Sequence, residues 1–201
     1  MIRTFIAVDL SSEIRERIKD VHRQLADHNV RLVDPDLVHI TIKFLGDIPE
    51  EKVRPISDAL SRMHCTPFDV DVEGIGAFPS MNYIRIIWVG VKSKTSQHGK
   101  ISDFPSVKSK SAEGDFERLR DAVEAALKPL GFPPDSRKFT AHATLARVKK
   151  MSKDQKMSLV DTIKRLSDVK LGEMEVNNIR FKKSTLTPNG PIYETLHEVR
   201  L

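Results

Sequence analysis

The chain of 201 residues contains a single cysteine, Cys65. It can therefore form no internal disulfide and no thiolate metal cluster, a usage that suits a reducing compartment. No apolar run approaches the ~18–20 residues of a membrane span. The opening stretch, residues 1–10, lacks the apolar core and small-residue cleavage site of a signal peptide. It reads as a strand, and a cytoplasmic protein with no membrane partner is expected. Two catalytic devices are missing as well. There is no Gly-x-x-x-x-Gly-Lys loop to cradle a nucleoside triphosphate, and no Gly-x-Ser-x-Gly elbow to present a serine nucleophile.

What is present is ordinary in bulk. Hydrophobic residues make up 39% and charged residues 30%, the composition of a globular domain able to bury a core. A net charge of +5 and a pI near 9.3 favour, mildly, a polyanionic partner.

Two short strings are copies of each other: His39-Ile40-Thr41-Ile42 and His142-Ala143-Thr144-Leu145. In an extended strand, residues i and i+2 share a face, about 6.5–7 Å apart. Each copy thus presents an imidazole beside a hydroxyl, with apolar residues turned the other way. The surrounding elements repeat too. Strands are expected at 2–9, 38–45, 68–75 and 83–91, with helices at 11–27 and 49–62. The second half offers helices at 114–128 and 152–166, with strands at 140–148, 172–183 and 192–201. His142 follows His39 by 103 positions and Ile179 follows Ile75 by 104; the strand of Tyr83 is matched to that of Tyr193. This implies a duplicated β-α-β-α-β unit, over about 2–91 and 82–201, within one domain of residues 1–201. The expected fold is α+β and bilobal, with antiparallel-rich sheets around a central cleft and a pseudo-twofold. Residues 92–113 break the symmetry: five lysines (Lys92, Lys94, Lys100, Lys108, Lys110) against Asp103 and Glu113 give +3 with few aliphatics. Such a segment reads as a surface insertion, or as a basic flap contacting RNA.

Histidine gives or takes a proton near neutrality. Two of them at equivalent places, each with a threonine at i+2, suit in-line displacement at phosphorus. One imidazole deprotonates the attacking oxygen, the other protonates the leaving oxygen, and the hydroxyls hold the non-bridging oxygens. A zinc site would need a third ligand and closer grouping, so no metal and no cofactor is expected. His64 and Cys65 at a helix end offer little for covalent catalysis.

These motifs, with Arg3-Thr4-Phe5-Ile6-Ala7-Val8, Lys43-Phe44-Leu45-Gly46 and the stretch from Phe139 to Val148, resemble the two-histidine phosphoesterases. The subgroup most similar is the RNA 2′,3′-cyclic phosphodiesterases, also named 2′-5′ RNA ligases. The resemblance implies that His39 donates a proton to the leaving 3′ oxygen and that His142 activates water. It implies that Thr41 and Thr144 hold the phosphate, and that the partner is RNA ending in a 2′,3′-cyclic phosphate. It further implies a bilobal fold without a metal, capable of hydrolysis and of 2′-5′ joining; a monomer is the default for a closed two-lobe fold. Arg147 resembles a family position near the phosphate, although strict alternation turns it away from His142. By the same parity Lys43 falls on the cleft rim or is a solvated strand-end residue, and Phe44 falls in the core or against a base; Trp88, in an apolar strand, reads as core. His22, His28, His98 and His197 read as surface residues. Alternatives are a non-catalytic RNA-binding module, or an enzyme for a small cyclic nucleotide or a 2′-5′ linkage.

Overall fold

The computed structural model describes residues 1–94, 114–136, 139–188 and 190–201. Strand β1 (Ile2–Asp9) leads to helix α1 (Ser12–Leu25), where Ser11 Oγ accepts the Ile14 N–H at 3.4 Å as the N-cap. A short strand β2 (Val30–Leu32) precedes β3 (His39–Ile48), and α2 (Val53–Ser61) follows. Then come the hairpin of β4 (Phe68–Ser80) and β5 (Tyr83–Ser93), helix α3 (Asp115–Leu127), and β6 (His142–Val148). Helix α4 (Lys153–Arg165) opens with a reciprocal capping box between Ser152 and Gln155. The chain closes with β7 (Lys170–Val176), β8 (Asn178–Thr187) and β9 (Gly190–Arg200).

The strands form one antiparallel sheet in the order β7-β4-β5-β6-β3-β1-β8-β9, with β2 pairing to β6 beside β3. Outward from the centre, β3, β1, β8 and β9 are matched by β6, β5, β4 and β7, which is the pseudo-twofold. The match corrects one correspondence. Ile75 and Ile179 do lie on matched strands, but the strand of Tyr83 corresponds to β1 and that of Tyr193 to β7. The reason is pairing: β5 is hydrogen-bonded on both edges, to β4 and β6, whereas β9 pairs with β8 alone among the described residues. One half of the sheet, β3, β1, β8 and β9, therefore joins strands from both ends of the chain, while the other, β4 to β7, is built from its middle. Helices α1 and α4 cover the β4–β7 side, and α2 and α3 cover the β3–β9 side.

Three further departures have local causes. The stretch 172–183 is two strands, because the chain crosses at Asn177 from one half of the sheet to the other. Gly46 does not end β3; with φ of +75° beside a register shift it bends the strand, which runs on to Ile48. Strand β2 is too short for alternation to betray it. Of the lysine-rich stretch, residues 95–113 lie outside the described residues. Lys92 is paired with Glu73 at 2.8 Å, and Lys94 with Glu173 and, at 3.9 Å, Asp71. Among the described residues no helix is long and apolar enough to cross a membrane.

Candidate active site

The two motif strands lie side by side instead of facing each other. β3 and β6 meet at one pair, Ile40 with Ala143, at the centre of the sheet. That register sets His39 across from Thr144 and Thr41 across from His142. The burial patterns of the two strands are the same over seven residues, His39–Leu45 and His142–Val148. Ile40, Ile42, Ala143 and Leu145 are fully buried on the core face, while the histidines and threonines are half-buried on the other. Thr41 and Thr144 have hydroxyls without a hydrogen-bond partner among the described residues.

The imidazoles are held in the same way. His39 Nδ1 donates to the Leu37 carbonyl at 2.8 Å, and His142 Nδ1 donates to the Thr140 carbonyl at 2.7 Å. A carbonyl can only accept, so Nδ1 carries the hydrogen in each ring and Nε2 is left to take or give a proton.

The surroundings differ. His39 stacks on Phe5 at 4.9 Å between ring centroids and meets Tyr193 edge-on at 5.2 Å. Beside it lies a charged group that the sequence did not signal: Asp9 binds Lys182 at 2.5 Å and also Arg180, which in turn binds Glu198 at 2.8 Å. Burial acts to raise the Asp9 carboxyl, but the hydrogen bonds and charges of Lys182 and Arg180 outweigh it and hold it below its usual value. Burial pushes the His39 imidazolium down; the Leu37 carbonyl opposes this, the Lys182 ammonium adds to it, and Asp9 opposes it again. His142 instead meets Phe78 edge-on at 4.9 Å and Trp88 at 6.2 Å. By register, Lys182 holds the place beside His39 that Phe78 holds beside His142. The duplicated motif thus sits in unduplicated walls.

A pair of equivalent β-bulges overturns the parity argument. In β3, Ile6 and Ala7 pair with Lys43 and Thr41, skipping Ile42; in β6, Ile87 and Trp88 pair with Ala146 and Thr144, skipping Leu145. An extra residue reverses the facing of everything after it. Lys43 is therefore off the cleft rim, at 3% exposure, with Nζ donating to Glu124 Oε1 at 3.2 Å and the Pro133 carbonyl at 2.8 Å. Phe44, 68% exposed, is no core residue; it returns to the histidine face with its ring 6.3 Å from that of Phe5. Arg147 returns likewise, close enough for its charge to act on the Tyr193 hydroxyl.

Other expectations change as well. Trp88 is half-buried on the site face, and its indole lies where a Cβ on Gly76 would stand, 2.3 Å from that position. His22 is buried in α1, facing the sheet, not on the surface. His28 and His197 are half-buried and bonded to Thr162 (3.0 Å) and Ser61 (2.7 Å); His98 lies outside the described residues. Burial raises the Cys65 thiol, and His64 is exposed on a groove of about 720 Å³ between α2 and α3 that contains none of the motif residues. Among the described residues no three His, Cys, Asp or Glu side chains are grouped to hold a metal ion.

The comparison with known families shows the class to be that of the phosphoesterases. The model of the LigT like Phosphoesterase family matches residues 8–88 and 107–193, and the chain belongs to that family. One relative is the RNA 2′,3′-cyclic phosphodiesterase of Archaeoglobus fulgidus, 38% identical over 196 residues, covering 97% of this chain and 98% of the relative. The RNA 2′,3′-cyclic phosphodiesterase of Methanocaldococcus jannaschii is 35% identical over 197 residues, covering 98% and 99%. Among solved structures, a Thermus thermophilus protein superimposes with a TM-score of 0.74 at 25% identity, over 100% of this chain and 98% of that one. Escherichia coli LigT complexed with 3′-AMP shares the fold, with a TM-score of 0.70 at 20% identity over 100% and 98% of the chains.

Proposed function

We propose that the protein, as one bilobal domain, hydrolyses the 2′,3′-cyclic phosphate at an RNA end to a 2′-phosphate by paired-histidine catalysis without a metal ion. The observation that carries this reading is the shared anchoring of two imidazoles, each with Nδ1 on the carbonyl two residues back, beside two threonine hydroxyls; among the described residues neither Nε2 nor either hydroxyl has a hydrogen-bond partner. The names of the relatives supply the substrate class. In the step, water attacks phosphorus while His142 Nε2 takes its proton. The bond from phosphorus to the 3′ oxygen breaks, and that oxygen takes the proton held on His39 Nε2. Thr41 and Thr144, with Arg147, hold the non-bridging oxygens as charge builds on them.

The donor role asks His39 to be protonated, while burial favours its neutral form in the free protein. The substrate reverses this. A phosphate anion about 4 Å from the imidazolium contributes about 4 kcal/mol at an effective dielectric of about 20, which favours the protonated ring.

An oligonucleotide ending in 2′,3′-cyclic phosphate, incubated with chelator present, is expected to yield the 2′-monoester. Removing either imidazole, in His39→Ala or His142→Ala, is expected to lower kcat about 10²–10⁴-fold. Undiminished activity in both variants would sink the mechanism, and binding without turnover in the wild type would favour an RNA-binding module. An aryl phosphodiester with a good leaving group separates the roles. It needs no acid, so His39→Ala should retain activity on it and His142→Ala should not.

A further inference from the structure

Three arginines converge beyond Tyr193, and none of them makes an ion pair or side-chain hydrogen bond among the described residues. Arg31 on β2 and Arg147 on β6 are direct cross-strand partners. Like charges so placed stand about 5 Å apart at Cβ and repel. The Arg31 guanidinium reaches over the first residue of β9: its Nη2 lies 3.3 Å from where a Cβ on Gly190 would stand. Arg3 pairs with Ser184, which pairs with Tyr193, so Arg3 and Tyr193 share one row and one face of the sheet. Along the regular strand β1, Arg3 also shares the face of Phe5, the residue stacked on His39. Asp47 lies across β3 from Arg3 without forming an ion pair with it. Arg3 and Arg147 both place positive charge at the Tyr193 hydroxyl, whose ring is in contact with His39.

Three exposed, uncompensated guanidinium groups one phenol ring beyond the imidazole form a concentrated positive rim. A mononucleotide held at His39 and His142 has no charge left to occupy it. An RNA strand does, because its next phosphodiester lies one nucleotide from the terminal phosphate, and the fork of a guanidinium suits phosphate oxygens. We propose that Arg3 and Arg31, with Arg147 between them and the reacting phosphate, form a second anion subsite for the penultimate phosphodiester of RNA, making the enzyme selective for oligonucleotide ends over mononucleotides. The inference rests on the reading that the cyclic phosphate binds at the two histidines.

The test compares a 2′,3′-cyclic mononucleotide with a trinucleotide carrying the same end. Wild type should show a higher kcat/KM on the trinucleotide, by about tenfold at low salt, with the advantage falling as salt rises. Arg3→Gln and Arg31→Gln should each lower the trinucleotide value about threefold more than the mononucleotide value. For a fluorescent trinucleotide ending in 2′-phosphate, the slope of log K against log[salt] should fall by about 0.7 for each arginine removed, and Arg31→Lys should restore it. Equal losses on the two substrates, or an unchanged slope in folded variants, would overturn the subsite. Absence of turnover by wild type on both substrates would overturn the activity instead, and the salt slope would still decide the subsite.

Discussion

Lys43 offers the sharpest test of how the site's framework is held. Its ammonium is 3% exposed and lies 3.2 Å from Glu124, 2.8 Å from the Pro133 carbonyl and 3.8 Å from Asp135. Glu124 also accepts the Asp135 N–H at 2.9 Å, so the pair ties β3 to α3 and to the loop ahead of β6. At 3.2 Å and an effective dielectric of about 20, the attraction is about 5 kcal/mol, and it offsets a comparable cost of taking both charges out of water. Lys43→Ala removes the attraction and leaves the cost at Glu124. The expected loss is about 3–5 kcal/mol. For a chain of this length that is a fall in Tm of about 6–20 °C. Glu124→Leu alone should also destabilise, whereas Lys43→Ala combined with Glu124→Leu should be more stable than the two single losses summed, by at least about 1 kcal/mol. Urea and thermal unfolding of the four proteins measure this. A loss under about 1 kcal/mol for Lys43→Ala, or strict additivity, would refute the claim that the pair is a coupled buried unit.

Gly76→Ala would drive a methyl into the Trp88 indole; a loss of about 1–3 kcal/mol is expected, with an altered near-ultraviolet tryptophan signal, and an unchanged spectrum would count against the contact. Burial lowers the imidazolium of both His39 and His22 from 6.5, so the unfolded chain binds more protons just below that pH. Stability should thus be full above about pH 6.5 and decline as the pH falls, and the urea midpoint should drop between pH 7.5 and 5.5; a midpoint that rises on acidification would contradict this. Asp9→Asn strips Lys182 of its partner and is expected to cost about 3 kcal/mol; because Asp9 favours the His39 imidazolium, the alkaline limb of the kcat/KM profile should move to lower pH, and an unmoved limb would dissociate Asp9 from His39.

Much of the site could be read from periodicity because it is local. A strand places His39 with Thr41 and His142 with Thr144 whatever surrounds them. Three of the errors share one cause. Lys43, Phe44 and Arg147 were sorted by strict alternation, and the skipped residues Ile42 and Leu145 reverse it. A bulge leaves no composition signal in a run of aliphatics. It depends on the neighbouring strand's register, which the strand itself does not encode. The Tyr83 and Tyr193 strands were matched by order along the chain, but matched places in the sheet follow hydrogen-bonding partners.

By itself, then, the sequence determined two equivalent strands and the residues proposed to carry proton transfer, because equal local sequence produces equal local geometry down to the Nδ1 bond of each histidine. Only the tertiary structure decided that the strands would lie side by side at Ile40 and Ala143, and that the two imidazoles would have different neighbours. Asp9 and Lys182 stand at His39 and Phe78 and Trp88 at His142 because those walls come from distant, diverged strands. The charge beside an imidazole governs its protonation, so the chemistry of each histidine is set by residues its own motif does not contain.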